Sequence, residues 1–193
     1  MTVLVREGID MAAVDEQALD ALFDQMTVPE GYRAEIVGGA IHMSPQRRVH
    51  WEITRRVVRA LEDAFGMDAL VLSDVRIDFP GSLNGFCPDV AKMRDGAESV
   101  RGERWRYQDV EFVTEVISQS TARNDYEPKK RAYAAAAVPV YLIADPYQRR
   151  CHVYTEPKEG EYRTELIVAF GSDVDLTSTS LGLTLATEDF PVE

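Results

Sequence analysis

Residues 112–146, FVTEVISQSTARNDYEPKKRAYAAAAVPVYLIADP, constrain the fold of this chain more than any other stretch. After Glu111, residues 112–117 are mostly apolar, interrupted by Thr114 and Glu115, which is the pattern of a strand covered on both faces. A polar turn follows. Residues 126–136 then read as a helix, with Asp125 placed to cap it and Pro128 tolerated in its first turn. Residues 138–144 read as a second buried strand. A strand, helix and strand of these lengths predict a right-handed parallel crossover.

The remainder fits a mixed sheet flanked by helices, an α/β (α+β) fold. Leu19, Leu22 and Phe23 fall at helical spacing in 15–26, with Asp15 as N-cap. Two short strands are expected in 32–43 about Gly38-Gly39. A helix over 46–65 places Ile53, Val57, Leu61, Ala64 and Phe65 on one stripe. Residues 70–79 and 85–93 each read as a strand, and the polar stretch 96–108 as a loop or short helix. Residues 150–156 and 161–169 alternate like a hairpin about Glu159-Gly160. With no repeat and no Pro/Ser-rich linker, one domain over 1–193 is expected. It would comprise an acidic helix at 15–26, a core at 32–170 and an acidic segment at 171–193.

Composition excludes some functions and permits others. No run approaches the roughly 18 apolar residues a membrane-spanning helix needs. The N-terminus carries acids where a secretion signal would carry a basic start, so a cytoplasmic protein is expected. Cys87 and Cys151 have no CxxC spacing and predict no disulfide framework. The net charge of −12 opposes binding to a polyanion. Its distribution softens that opposition. Residues 1–35 hold eight acids and two bases, and 155–193 hold nine acids and two bases, so the centre is balanced. That centre carries basic clusters at Arg47-Arg48, at Arg55-Arg56 with Arg59, from Arg101 to Arg106 and from Lys129 to Arg131. Singly, each such cluster is ordinarily a solvated face.

Asp89 and Glu115 are the residues best placed for chemistry. An acid within an apolar strand costs several kcal/mol unless it is paired or binds a metal. Two such acids on neighbouring strands suit Mg²⁺, which takes a few carboxylate oxygens and keeps waters and substrate phosphate oxygens. Such an ion polarises a phosphate and activates a water. Lys129 could then stabilise phosphoryl charge or orient that water. A plain Glu115–Lys129 ion pair accounts for the same spacing equally well. Three histidines at 42, 50 and 152 form no zinc spacing. Ser118 and Ser120 lack a G-x-S-x-G elbow. Gly38-Gly39 lacks a phosphate-loop context.

The pieces RAEIVGGAIHMSP followed by His50, FCPDVA, FVTEVISQST and RNDYEPKKRAYAAAAVPVYLIADP together resemble the bacterial family labelled "putative restriction endonuclease". That group of unknown function lies within the PD-(D/E)XK nuclease superfamily, and the resemblance spans roughly residues 15–190. It implies a restriction-endonuclease-like fold and a Mg²⁺- or Mn²⁺-dependent endonuclease acting on DNA, with RNA as an alternative substrate. Asp89 and Glu115 match the motif acids, and Glu35 matches an upstream acid. Ile117 stands where the wider superfamily has lysine. The D-x-x-x-K-x-x-x-Y pattern aligns Asp125, Lys129 and Tyr133 instead, with Lys130 as the alternative lysine. By the same resemblance, Val116 would offer its backbone carbonyl to the metal and His50 would contact phosphate. A homodimer follows by analogy with enzymes that cut two strands. The rival expectation is a catalytically silent nuclease fold used for binding or assembly, which the acidic termini favour.

Overall fold

The computed structural model describes residues 16–81, 83–100 and 104–193. The expected Asp15 cap and Arg101 lie outside them. The first half of the chain alternates between two sheets. Helix α1 (Glu16–Gln25) leads into the hairpin β1 (Tyr32–Val37) and β2 (Ala40–Pro45), then helix α2 (Arg48–Phe65). Strands β3 (Val71–Leu72), β4 (Ile77–Phe79), β5 (Asn84–Phe86), β6 (Val90–Met93) and β7 (Trp105–Arg106) follow, and a 3₁₀ turn (Tyr107–Asp109) precedes β8 (Val110–Val116).

The crossover after β8 begins with the short α turn α3 (Ala122–Asn124). A π-helical turn (Asp125–Lys129) and α4 (Lys130–Ala135) continue it, and β9 (Val140–Asp145) completes it. The hairpin β10 (Arg150–Lys158) and β11 (Glu161–Ala169) and the small pair β12 (Val174–Asp175) and β13 (Thr184–Leu185) end the fold. One sheet has the order β2-β1-β5-β4-β7 and the other β11-β10-β9-β8-β6-β3. β8 and β9 are parallel, as the crossover pattern predicts, and Phe112 pairs with Val140.

Two expected strands each divide between the sheets. Residues 70–79 break at Ser73-Asp74, where Asp74 takes a left-handed φ of 56°. β3 therefore joins the larger sheet and β4 the smaller. Residues 85–93 break at Cys87-Pro88, where proline has no N–H to continue a ladder, leaving β5 and β6 in different sheets. The helix expected over 126–136 begins earlier, at Ala122, so Asp125 lies inside the helical run instead of capping it. Pro128 sits within the π turn. π turns of this kind recur at functional sites.

The larger sheet is covered on both faces. On one side α2 packs Ile53, Val57 and Leu61 against Phe112, Val116, Leu142 and Val153. Val174, Leu176, Leu181, Leu185 and Phe190 of the acidic C-terminal segment join that same core. On the other side Val113, Tyr141 and Ile143 meet Ile77, Phe79 and Phe86 of the smaller sheet and Tyr133 of α4. Because strand side chains alternate, Glu115 falls on this second side, in the layer between the sheets. No helix among the described residues is long and apolar enough to cross a membrane.

Candidate active site

Four carboxylates and two cations meet where β1, the β5–β6 connection, β8 and the π turn come together. The Lys129 ammonium lies 2.7 Å from Glu115 Oε1, 2.9 Å from Glu35 Oε2 and 3.0 Å from Asp125 Oδ1. It is completely buried and stands 5.5 Å from the centre of the Phe86 ring. The other cation is Arg33. Its Nη1 donates to Asp89 Oδ1 at 2.7 Å and to the Cys87 carbonyl at 3.0 Å, and its Nη2 lies 3.8 Å from Glu115 Oε2. One guanidinium thus reaches both motif acids, so Asp89 and Glu115 share a side of the sheet. Asp89 is fixed further by the Val116 backbone N–H, which donates to Oδ2 at 2.7 Å.

Local sequence explains how each group arrives. Arg33 and Glu35 are two apart on β1, so they face the same way. Asp125 and Lys129 are four apart along the helical run, which stacks them on one face. The π turn is held in place by Tyr141, whose hydroxyl donates to the Asp125 carbonyl at 3.0 Å. Tyr133, four residues beyond Lys129, donates to Glu115 Oε1 at 2.6 Å. Its ring makes edge contacts with Phe79 and Phe86, and a tilted one with Tyr141.

The charges do not balance. Burial pushes the Glu115 carboxyl up to about 8 despite Lys129, and the nearby Asp125 charge adds to the rise. Burial likewise raises Asp125 to about 6, against the pull of Lys129. Burial alone would also raise Glu35, but Lys129 and then Arg33 outweigh it and hold that carboxyl below its ordinary value. Desolvation opposes the Lys129 ammonium, yet Asp125, Glu115 and Glu35 keep its pKa well above normal.

The acid excess has a visible counterpart. Glu115 Oε2 is buried without a hydrogen-bond partner among the described residues. An orphaned carboxylate oxygen in a cluster with two more acids than cations suits a divalent cation with hard oxygen preference. No ready-made cage of three acidic, histidine or cysteine ligands exists among the described residues. Mg²⁺ ordinarily uses one or two carboxylates with waters and substrate phosphates rather than such a cage. The donor chemistry therefore fits, with Arg33 standing between the two acids.

Of the residues singled out in the sequence, Asp89, Glu115, Glu35 and Lys129 converge here. His50 lies apart, buried in the first turn of α2. It borders a cavity of about 160 Å³ lined also by Gln46, Trp51, Asp74 and Asp89. Lys130 is separated from the cluster, its ammonium 4.6 Å from the centre of the Tyr154 ring. One residue along the helical run turns it away from Lys129. Arg33 was missed, although its two-residue spacing from Glu35 carried the signal. Asp125, expected at a cap position and aligned with Lys129 and Tyr133 by the family pattern, lies inside the cluster, where its four-residue spacing to Lys129 makes an ion pair.

A family model described as "Uma2: Putative restriction endonuclease" matches residues 20–188, a span containing every residue of the cluster. This chain is a member of the Uma2 family. Its fold is similar to a crystal structure described as a "putative nuclease belonging to DUF820" from Anabaena variabilis ATCC 29413. The TM-score is 0.66 at 16% identity, over 89% of this chain and 96% of that one. A comparison with curated proteins finds no match. In this Uma2 chain the motif acids on β8 and before β6 are thus joined through an arginine from β1.

Proposed function

We propose that this protein is a Mg²⁺- or Mn²⁺-dependent endonuclease that hydrolyses DNA phosphodiester bonds. One observation carries this reading: buried Asp89 and Glu115 converge beside Lys129, in a cluster with two more acids than cations and an orphaned Glu115 oxygen. Asp89 and Glu115, with the Val116 carbonyl, would hold the ion. When bound, that ion would polarise the scissile phosphate and lower the pKa of an attacking water.

The chain's own residues prepare the place. Lys129 and Tyr133 fix Glu115 Oε1, which aims Oε2 toward Arg33. Glu35 partners Lys129 from β1 of the smaller sheet. Lys129 already serves three carboxylates and is enclosed, so it acts as a positioning residue. Arg33 Nη1 also donates to a third acid, Asp74 Oδ1, at 3.3 Å on the cavity side, so the guanidinium would keep a partner there if a metal ion took its place between Asp89 and Glu115. The edge strand β11, with Leu166 and Ile167 exposed, supports pairing of two copies.

The Arg33 contacts also favour a second reading, a catalytically silent nuclease fold whose acids are permanently neutralised by arginine. Incubating labelled DNA with the protein and Mg²⁺ separates the two. Cleavage that stops with chelator and in folded Asp89→Ala and Glu115→Ala supports the nuclease. Undiminished cleavage in both variants removes the site, and no cleavage by the parent with either metal supports the silent fold.

A further inference from the structure

The outward side of α2 carries Arg48, Trp51, Arg55 and Arg59, spaced by three or four residues and therefore on one stripe. All four are exposed. The opposite side of the helix buries Ile53, Val57 and Leu61, so packing does not account for the stripe. Trp51 is 63% exposed, although its indole is large enough to favour burial. It borders the same cavity as His50, Asp74 and Asp89, which makes the stripe continuous with the acid cluster. Arg48 pairs with Glu52 at 3.0 Å, while Arg55 and Arg59 have no ion-pair partner among the described residues. An acidic chain offers many carboxylates that could pair with them. Arg55 and Arg59 both border a pocket shared with Asp63, Glu188 and Asp189, so the stripe is most basic at the end nearest the cavity, and Arg55 marks its limit.

We propose that Arg48, Trp51 and Arg55 form a track for single-stranded DNA, with an unpaired base stacked on the Trp51 indole and flanking phosphates on the two arginines. The inference rests on the nuclease reading and adds the form of the substrate. Seven residues of helix separate the two arginines by about 10 Å. A duplex would meet the arginines but keeps its base faces inside the stack, leaving the indole without a partner. A splayed single strand uses both kinds of group, as base–aromatic stacking and phosphate contacts do in other single-strand grooves.

Fluorescence anisotropy in chelator, where no cleavage occurs, tests this with a labelled deoxythymidine oligonucleotide and a labelled duplex. The expected result is tighter binding of the single strand, with tryptophan emission quenched on binding. Trp51→Ala should weaken it about 5- to 150-fold, from roughly 1–3 kcal/mol of stacking per base, while Trp51→Phe retains part of the affinity. Arg55→Ala should lower the slope of log affinity against log salt by about one. Each variant changes an exposed side chain, and circular dichroism checks that it is folded. Equal binding by parent and Trp51→Ala, or preference for duplex, overturns the track. A ribo-oligonucleotide bound tenfold tighter overturns the assignment to DNA. Metal-dependent DNA cleavage that survives Trp51→Ala with unchanged single-strand affinity rejects this inference alone. A parent that neither binds nor cleaves any DNA rejects both readings.

Discussion

Replacing Lys129 with methionine keeps the side chain's length and removes its charge from the centre of the cluster. The ammonium contacts Glu115, Glu35 and Asp125 within 3.0 Å and is completely buried. Removing one partner from a buried ion pair costs about 3–5 kcal/mol, because the opposite charge is left without compensation. A domain with the usual stability of roughly 5–15 kcal/mol should survive that loss. The pH dependence gives a sharper test. Glu115 and Asp125 have raised folded pKa values, about 8 and about 6. Their protonated forms therefore favour the fold at low pH, and that contribution is lost as pH rises through those values. Without Lys129 both values move higher still, so the variant keeps at least one more proton across that window. Stability falls by about 1.4 kcal/mol per pH unit for each proton held only in the fold. One extra proton retained between those two values widens the gap from the parent by about 3 kcal/mol. Urea denaturation at about pH 5 and about pH 8 should show a small loss at the lower pH and the full loss at the higher. The double variant Lys129→Met/Glu115→Gln should recover part of it, since it removes an uncompensated acid. A loss under about 1 kcal/mol at the higher pH, or a loss independent of pH, refutes a cluster organised around this cation.

Two further substitutions examine the neighbours. Tyr133→Phe removes the hydroxyl that donates to Glu115 Oε1 at 2.6 Å and keeps the ring contacts with Phe79, Phe86 and Tyr141. With Glu115 protonated below about pH 8, that bond is worth about 0.5–1.5 kcal/mol, rising toward about 1.5–3 kcal/mol once the carboxyl ionises. The low end is expected in urea denaturation because Lys129 shares that oxygen. Arg33→Gln should destabilise the metal-free protein by about 3 kcal/mol through loss of the Asp89 pair. Its thermal midpoint should then rise more with Mn²⁺ than the parent's does. Equal rises would show that Arg33 does not compete for the space between the acids.

Much of this arrangement was legible in the chain, and what escaped notice did so for physical reasons. β8 and β9 are buried on both faces, so their apolar runs stand out, and Glu115 stands out within one of them. The hairpin β10–β11 is marked by Glu159-Gly160, whose φ values of 55° and 77° make a tight turn. The division of 70–79 and of 85–93 between two sheets was hidden, since strands on either side of a break use the same alternation. The first break falls at Asp74, a non-glycine residue with positive φ, and no glycine signals it. Arg33, next to exposed Tyr32 at the start of β1, reads as a solvent-facing side chain. In the fold its guanidinium is drawn inward by Asp89. The π turn shifted Asp125 from a capping position into the cluster. In the segment after residue 170, acids conceal Val174, Leu176, Leu181, Leu185 and Phe190, whose irregular spacing matches no single helix or strand.

Titrating Mn²⁺ into the folded protein and counting bound ions by electron paramagnetic resonance tests the central claim most directly. The expected result is one ion bound per chain, with binding lost in folded Asp89→Asn and in folded Glu115→Gln. A folded parent that binds no Mn²⁺, or binding undiminished in both variants, would contradict a metal site at these two acids.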